Sequence, residues 1–144
     1  MKILYTLNSG NYGGMEKHVM DLTEGLVNKG HEVHVWCAEG PLEEGFKNVG
    51  AKVETKSIVL DICPSYIFSL KKYLKENQIE VVHAHELKAA VNSLIAAWLA
   101  GLQIRISHTH TPISEWQISP LTRLITSLVC RSIAARLSWL AAGG

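Results

Sequence analysis

The 144-residue chain has little net charge, since 14 basic against 13 acidic side chains leave +1. That balance argues against a dedicated nucleic-acid binder, which carries a basic excess. Cysteine is scarce: Cys37, Cys63 and Cys130 lie far apart and form no CxxC pair. A disulfide framework and a zinc knuckle are thereby excluded, and a reducing, cytoplasmic compartment fits best. Long hydrophobic runs are missing too. The longest uncharged stretch, 89–104, contains Asn92, Ser93, Gly101 and Gln103, and it is shorter than the roughly 20 apolar residues a membrane span needs. Met1–Leu7 leads into Ser9-Gly10 with neither a long apolar stretch nor a small-residue cleavage site, so no signal peptide is expected. No internal repeat or low-complexity linker is found. What is there is a hydrophobic content of 47% with 19% charged residues, enough to pack the core of one domain. Charge is uneven along it. Residues 1–100 hold 10 Lys and 12 acidic residues, whereas 101–144 hold Arg105, Arg123, Arg131 and Arg136 against Glu115 alone.

Strand and helix signals alternate. Lys2–Leu7 is a short apolar run closed by the turn Asn8-Ser9-Gly10, and Met15, Val19, Leu22 and Leu26 follow at helical spacing up to Lys29-Gly30. Glu32–Cys37 predicts a second strand, Leu42–Asn48 a short helix, and Lys52–Lys56 a third strand. Pro64 opens a helix through Lys75; Glu80–Ala84 predicts a strand, Leu87–Ala100 a helix closed by Gly101, and Gln103–His108 a fifth strand. A last helix is expected from Leu121 towards Trp139. This alternation predicts an α/β fold, a doubly wound parallel sheet of Rossmann type in the order 3-2-1-4-5. Ligands in such sheets sit beyond the carboxyl ends of the strands, where strand order reverses.

Two features lie at that edge. The first is the loop Asn8–Lys17, in which Gly13 and Gly14 immediately precede the first helix. Free N–H groups and the helix dipole there favour a phosphate, and glycine permits positive φ and close backbone approach. The plainer reading is a tight strand-to-helix turn. The spacing G-x-x-G-G is neither GxGxxG nor a Walker loop. A Rossmann-type nucleotide-cofactor-binding module stays open, built on Gly10, Gly13 and Gly14 with Glu39, past strand two, holding a ribose.

The second is a set of histidines. His83 and His85 end strand four, and His108 and His110 end strand five. Residues i and i+2 share a face, and neighbouring strands lie about 4.8 Å apart, so four imidazoles can gather. Metal binding, a polar catalytic role and hydrogen-bonded loop caps remain as alternatives; no Cys or Asp stands close by, which counts against a metal. His18, His31 and His34 read as surface or loop residues without chemistry. Glu86 reads as part of a helix start.

Gly13-Gly14-Met15-Glu16-Lys17-His18-Val19, then Lys29-Gly30-His31-Glu32-Val33, Val81-Val82-His83-Ala84-His85 and Ile104–Thr111 together resemble the opening half of glycosyltransferase family 4. That resemblance covers nearly the whole chain. It implies a retaining enzyme of GT-B architecture, in which two Rossmann-like domains face a cleft. This chain, 1–144, then corresponds to the N-terminal, acceptor-side domain, without the C-terminal donor-binding domain, and alone would be inactive. The resemblance implies His110 as the catalytic histidine, with His108 the second choice. Gly13 and Gly14 match the donor-phosphate loop. Asn11, Tyr12, Glu16 and His85 fall on the acceptor side, and Asn8 could also bond sugar hydroxyls. The implied substrate is a nucleotide-diphospho sugar, with no metal and no other cofactor. The implied acceptor is a sugar or lipid-linked hydroxyl, and no nucleic acid is involved. No paired carboxylates at glycosidase spacing are found. Trp116, Arg123, Arg131, Arg136 and Trp139 suit the inner face of an anionic membrane; the other reading packs this stretch on the sheet or the second domain. An exposed cleft face could also drive a homodimer.

Overall fold

The computed structural model describes residues 1–108 together with Pro120, Arg123, Leu124, Ser127 and Leu128, which are helical. Within residues 1–108 nine elements alternate: β1 (Lys2–Thr6), α1 (Gly14–Asn28), β2 (Glu32–Cys37), α2 (Leu42–Asn48), β3 (Lys52–Thr55), α3 (Pro64–Glu76), β4 (Val81–His85), α4 (Leu87–Ala100) and β5 (Ile104–His108). The strands form one parallel sheet in the order β3-β2-β1-β4-β5. The expected α/β, Rossmann-type order is therefore observed. The last predicted helix lies outside the described residues, apart from Arg123, Leu124, Ser127 and Leu128.

Both faces of the central strands β2, β1 and β4 are covered, as in buried parallel sheets. On one face Leu4, Trp36 and Val82 pack with Tyr66, Ile67, Leu70 and Leu74 of α3 and Ala89, Ala96 and Ala97 of α4. On the other Tyr5, Leu7, Val33, Val35 and Val81 pack with Val19 of α1 and Leu42 and Phe46 of α2. Leu4, Leu70 and Phe46 are fully buried, and truncating such a residue to Ala costs about 2–5 kcal/mol. α4 keeps two polar groups inside. Its Asn92 accepts from Cys63 N (2.7 Å) and donates to Asp61 O (2.9 Å), and Ser93 donates to Thr6 Oγ1 at 2.8 Å. The apolar sequence of α4 is that of a helix wedged into a core. Among the described residues, no helix is long and apolar enough to cross a membrane.

His34 departs from expectation. It sits inside β2, fully buried on the α3–α4 side. Its Nδ1 lies 2.7 Å from the Tyr73 hydroxyl and its Nε2 lies 2.9 Å from Glu32 Oε1. With both faces of β2 covered, every second residue of Glu-Val-His-Val-Trp-Cys points into a helix layer, and this imidazole survives there because both nitrogens have partners. Burial lowers its pKa below the usual 6.5, although the Glu32 bond pulls the other way. Arg105 is also buried, donating to the Leu102 carbonyl, so it is no part of an exposed basic end.

Candidate functional site at the carboxyl ends of β1, β4 and β5

The β1–α1 loop is fastened on three sides. Gly10 lies against the β2–α2 loop so closely that a Cβ there would stand 2.2 Å from the Glu39 carbonyl oxygen. Leu42 N donates to Gly10 O at 3.1 Å, and Ala38 N to Ser9 O at 3.3 Å. Gly10 is thus required by a backbone crossing, and Glu39 itself is exposed. Asn8 serves as a staple: its Oδ1 accepts from Ile58 N at 2.8 Å and its Nδ2 donates to Ile58 O at 3.4 Å. Both amide ends thus have partners within the fold, which gives Asn8 a structural role.

The loop then delivers an open helix start. Gly13 caps α1 in extended conformation, with no side-chain cap bond. Neither Gly13 nor Gly14 has positive φ, contrary to one reason given for glycine there. A Cβ at 13 would stand 2.5 Å from Glu16 Oε2, the end of a flexible side chain that would have to swing aside. Glu16 tucks under the cap and is buried. Gly14 is exposed, and a Cβ there would meet nothing within 4 Å. First-turn N–H groups of a helix lack intrahelical partners and draw anions. Asn11 is exposed, its N–H reaching Ser9 Oγ at 3.4 Å. Tyr12 leans across to α2, donating to Pro41 O at 3.4 Å and lying over Gly45. A groove of about 420 Å³ opens beside it, lined by Tyr12, Gly13, Lys17, Met20 and Asp21.

The imidazoles gather on the α1 side of the sheet. His83 and His85 stack at 4.3 Å between ring centroids, and His108, paired in register with His85, lies 5.1 Å from it and 5.9 Å from His83. Tyr5 stands 5.2 Å from His83 and 5.7 Å from His85. Burial pushes its phenol up to about 12, so it remains a neutral hydroxyl at ordinary pH. His85 is fully buried while His83 and His108 are partly exposed. His110 lies outside the described residues, as do Trp116, Arg131, Arg136 and Trp139. Arg123, Leu124 and Leu128 are described and Arg123 is exposed.

Two residues at this edge were missed. His18, on the exposed side of α1, brings its ring to 5.7 Å from His108 and 6.3 Å from His85; its position two residues past Glu16, one turn into the helix that follows the glycines, was the available signal. Glu86 ties three strand ends together. Its carboxylate accepts from Asn8 N at 3.0 Å, and its own N–H donates to His108 O at 3.1 Å. It does so with φ at +64°, a left-handed conformation that non-glycine residues adopt at a cost of about 1–3 kcal/mol. Burial raises its pKa; the Asn8 bond opposes this and the Glu16 charge adds to it.

The chain has counterparts among known proteins. The chain is 32% identical over 116 residues to the capsular polysaccharide biosynthesis glycosyltransferase CapH of Staphylococcus aureus, an alignment spanning 77% of this chain and 31% of CapH. It is 31% identical over 107 residues to a phosphatidyl-myo-inositol mannosyltransferase of Mycolicibacterium smegmatis, spanning 69% of this chain and 28% of that one. The chain thus spans about a third of these relatives' length. HepE of Anabaena, solved in complex with UDP and glucose, superposes over 100% of this chain and 41% of its own with a TM-score of 0.71 and 20% identity. MurG of Acinetobacter baumannii superposes over 89% of this chain and 39% of its own with a TM-score of 0.62 and 15% identity. At these identities the structures show the shared Rossmann-like fold of GT-B glycosyltransferases. The sequence model of Glycosyltransferase Family 4 matches residues 12–138, most of the length, and the chain belongs to that family.

Proposed function

We propose that this chain is the acceptor-side, N-terminal half of a retaining glycosyltransferase. In this reading the whole enzyme moves a hexosyl unit from a nucleotide-diphospho sugar to a hydroxyl of an envelope glycan or lipid-linked acceptor. The observation that carries it is the meeting, at one edge of the sheet, of an uncapped glycine helix start with an imidazole cluster, in a chain of this family. The names of two relatives, one in capsular polysaccharide biosynthesis and one acting on phosphatidyl-myo-inositol, support that acceptor class. HepE's complex with UDP and glucose supports the donor class.

Each part then has a task. The departing diphosphate gains negative charge, and N–H groups fixed at the start of α1 stabilise it without reorganising. Glycine at 13 and 14 lets the phosphates approach the backbone. His110, with His108 beside it, bonds the donor sugar or orients the incoming hydroxyl. Tyr12 and Lys17 border the groove where an acceptor would lie, with Asn11 exposed on the same loop, and His85 and Glu16 support the acceptor side from within. Transfer needs no resident metal in this account. A second, donor-binding domain completes the cleft, and the enzyme works at the inner face of the membrane.

The test supplies the absent half. This chain is joined to a donor-binding domain of the family, or mixed with it, and hexosyl transfer from a panel of nucleotide sugars to lipid-linked acceptors is measured. Transfer is expected, falling about 100-fold or more in His110→Ala. Transfer that survives both His110→Ala and His108→Ala contradicts the assignment.

A further inference from the structure

The imidazole cluster has a chemistry beyond sugar transfer. His83, His85 and His108 each present one ring nitrogen, and the three lie within 4.8 Å of one another. We propose that these three residues form a binding site for a borderline transition-metal ion, with Zn²⁺ as the representative.

Backbone geometry sets the arrangement. His83 and His85 are i and i+2 on β4, and His108 is opposite His85 in the parallel register, so all three share one side of two adjacent strands. Zn²⁺ binds imidazole nitrogen at about 2.0–2.1 Å, which puts tetrahedral ligand atoms about 3.4 Å apart. The rings therefore have to draw together by no more than about 1.4 Å, within the reach of small side-chain rotations. An all-nitrogen donor set suits Zn²⁺, Ni²⁺, Cu²⁺ and Co²⁺, and is a poor one for Mg²⁺ and Ca²⁺, which take oxygen. His18 stands at the open side, 5.7 Å from His108, where a fourth ligand or water completes the shell. A bound ion would occupy His85 and His108. On the sugar-transfer reading it therefore competes with substrate and takes no part in the reaction. Metal binding itself does not rest on that reading.

The experiment is a titration of the chelator-treated chain with Co²⁺, followed by Zn²⁺ displacement. The N-terminal amine and His31 Nδ1, 3.3 Å apart, make a separate pair able to bind a metal, so His31→Ala is the control. One equivalent of Co²⁺ with the visible absorption of a low-coordinate nitrogen site is expected, and Zn²⁺ is expected to bleach it. His83→Ala and His108→Ala should each weaken binding at least 10-fold, while His31→Ala should leave it unchanged. His83→Gln and His108→Gln, closer in volume, serve if an Ala variant does not fold. Absent saturable Co²⁺ absorption, binding that survives at both positions, or binding lost in His31→Ala overturns the proposal. Because the readout is occupancy, such a failure leaves the transferase reading standing.

Discussion

His34 and His85 are both fully buried, on opposite faces of the same sheet, and their surroundings differ in kind. His34 is held by a hydroxyl and a carboxylate, and that carboxylate also receives Lys52 at 2.7 Å. This is a closed network near the amino ends of the strands, where each polar group finds a protein partner. His85 stands among other rings, namely His83, His108, Tyr5 and His18, at the carboxyl ends where the loops part around a helix start. Burial alone therefore does not separate a structural imidazole from a functional one. Its neighbours do: His34 lies between a hydroxyl and a carboxylate of the fold, whereas His85 lies among several imidazoles able to bind the same ligand.

Substitutions sharpen this contrast, and the largest effect is expected where the functional edge is built. Gly10→Ala forces a Cβ into the Glu39 carbonyl, 2.2 Å away, and neither backbone can yield cheaply. A loss of about 3 kcal/mol in urea unfolding is expected; an unchanged midpoint would mean the loops there are not locked together. His34→Ala comes next. It leaves the Tyr73 hydroxyl and Glu32 without their partner and opens a cavity, for about 2 kcal/mol, with no change in binding at the other edge. The same histidine gives a pH signature. Its folded pKa is below 6.5, so below that pH the unfolded chain takes up a proton that the folded chain refuses. Stability contributed by His34 is then lost on acidification, and His34→Gln should flatten that part of the pH–melting curve.

Glu86 is expected to have a smaller effect. Glu86→Ala removes the carboxylate that holds Asn8 N and should cost about 1 kcal/mol. Glu86→Gln keeps an acceptor and deletes the charge. Because burial raises the folded pKa above 4.5, the folded chain holds the proton more tightly, and stability falls as pH rises through that folded value. The melting temperature of Glu86→Gln relative to the parent should accordingly increase from pH 4.5 upward, and a constant difference would show that Glu86 is not perturbed. Gly14→Ala is the mildest. Nothing lies within 4 Å of the new methyl, so stability should hold or rise by up to about 1 kcal/mol from helix propensity, while diphosphate binding weakens because the methyl stands on the anion's approach. Equal effects on both readouts would mean that Gly14 is only a turn residue.

Much of this architecture was legible in one dimension. Val-rich runs ending in turn residues, and apolar spacing between them, gave every strand and helix among the described residues to within about two residues, together with the strand order. The shared face of His83 and His85 followed from period two. What escaped depended on distant chain. Asn8 looks like a free loop amide until Ile58, 50 positions on, takes both of its ends. Gly10 reads as a turn glycine, and its reason is the Glu39 backbone crossing it. His34 occupies an alternating strand whose two faces are both covered, so its pattern could not say that Tyr73 waits beneath it. Glu86 carries the signal of a helix start, but its left-handed φ and its hold on two other strand ends come from the meeting of β1, β4 and β5.

The central claim is that the carboxyl edge, with its glycine helix start and imidazoles, is the ligand edge. The most direct measurement is a titration of the isotope-labelled chain, joined to a donor-binding domain of the family, with UDP-glucose, followed by NMR at backbone amides and imidazole carbons. The account predicts shifts at Gly13, Gly14 and Met15 and at His85 and His108, with Glu32, His34 and Lys52 unmoved. Shifts confined to the His34 edge, or a response only to NAD at Gly10 and Glu39, would contradict it.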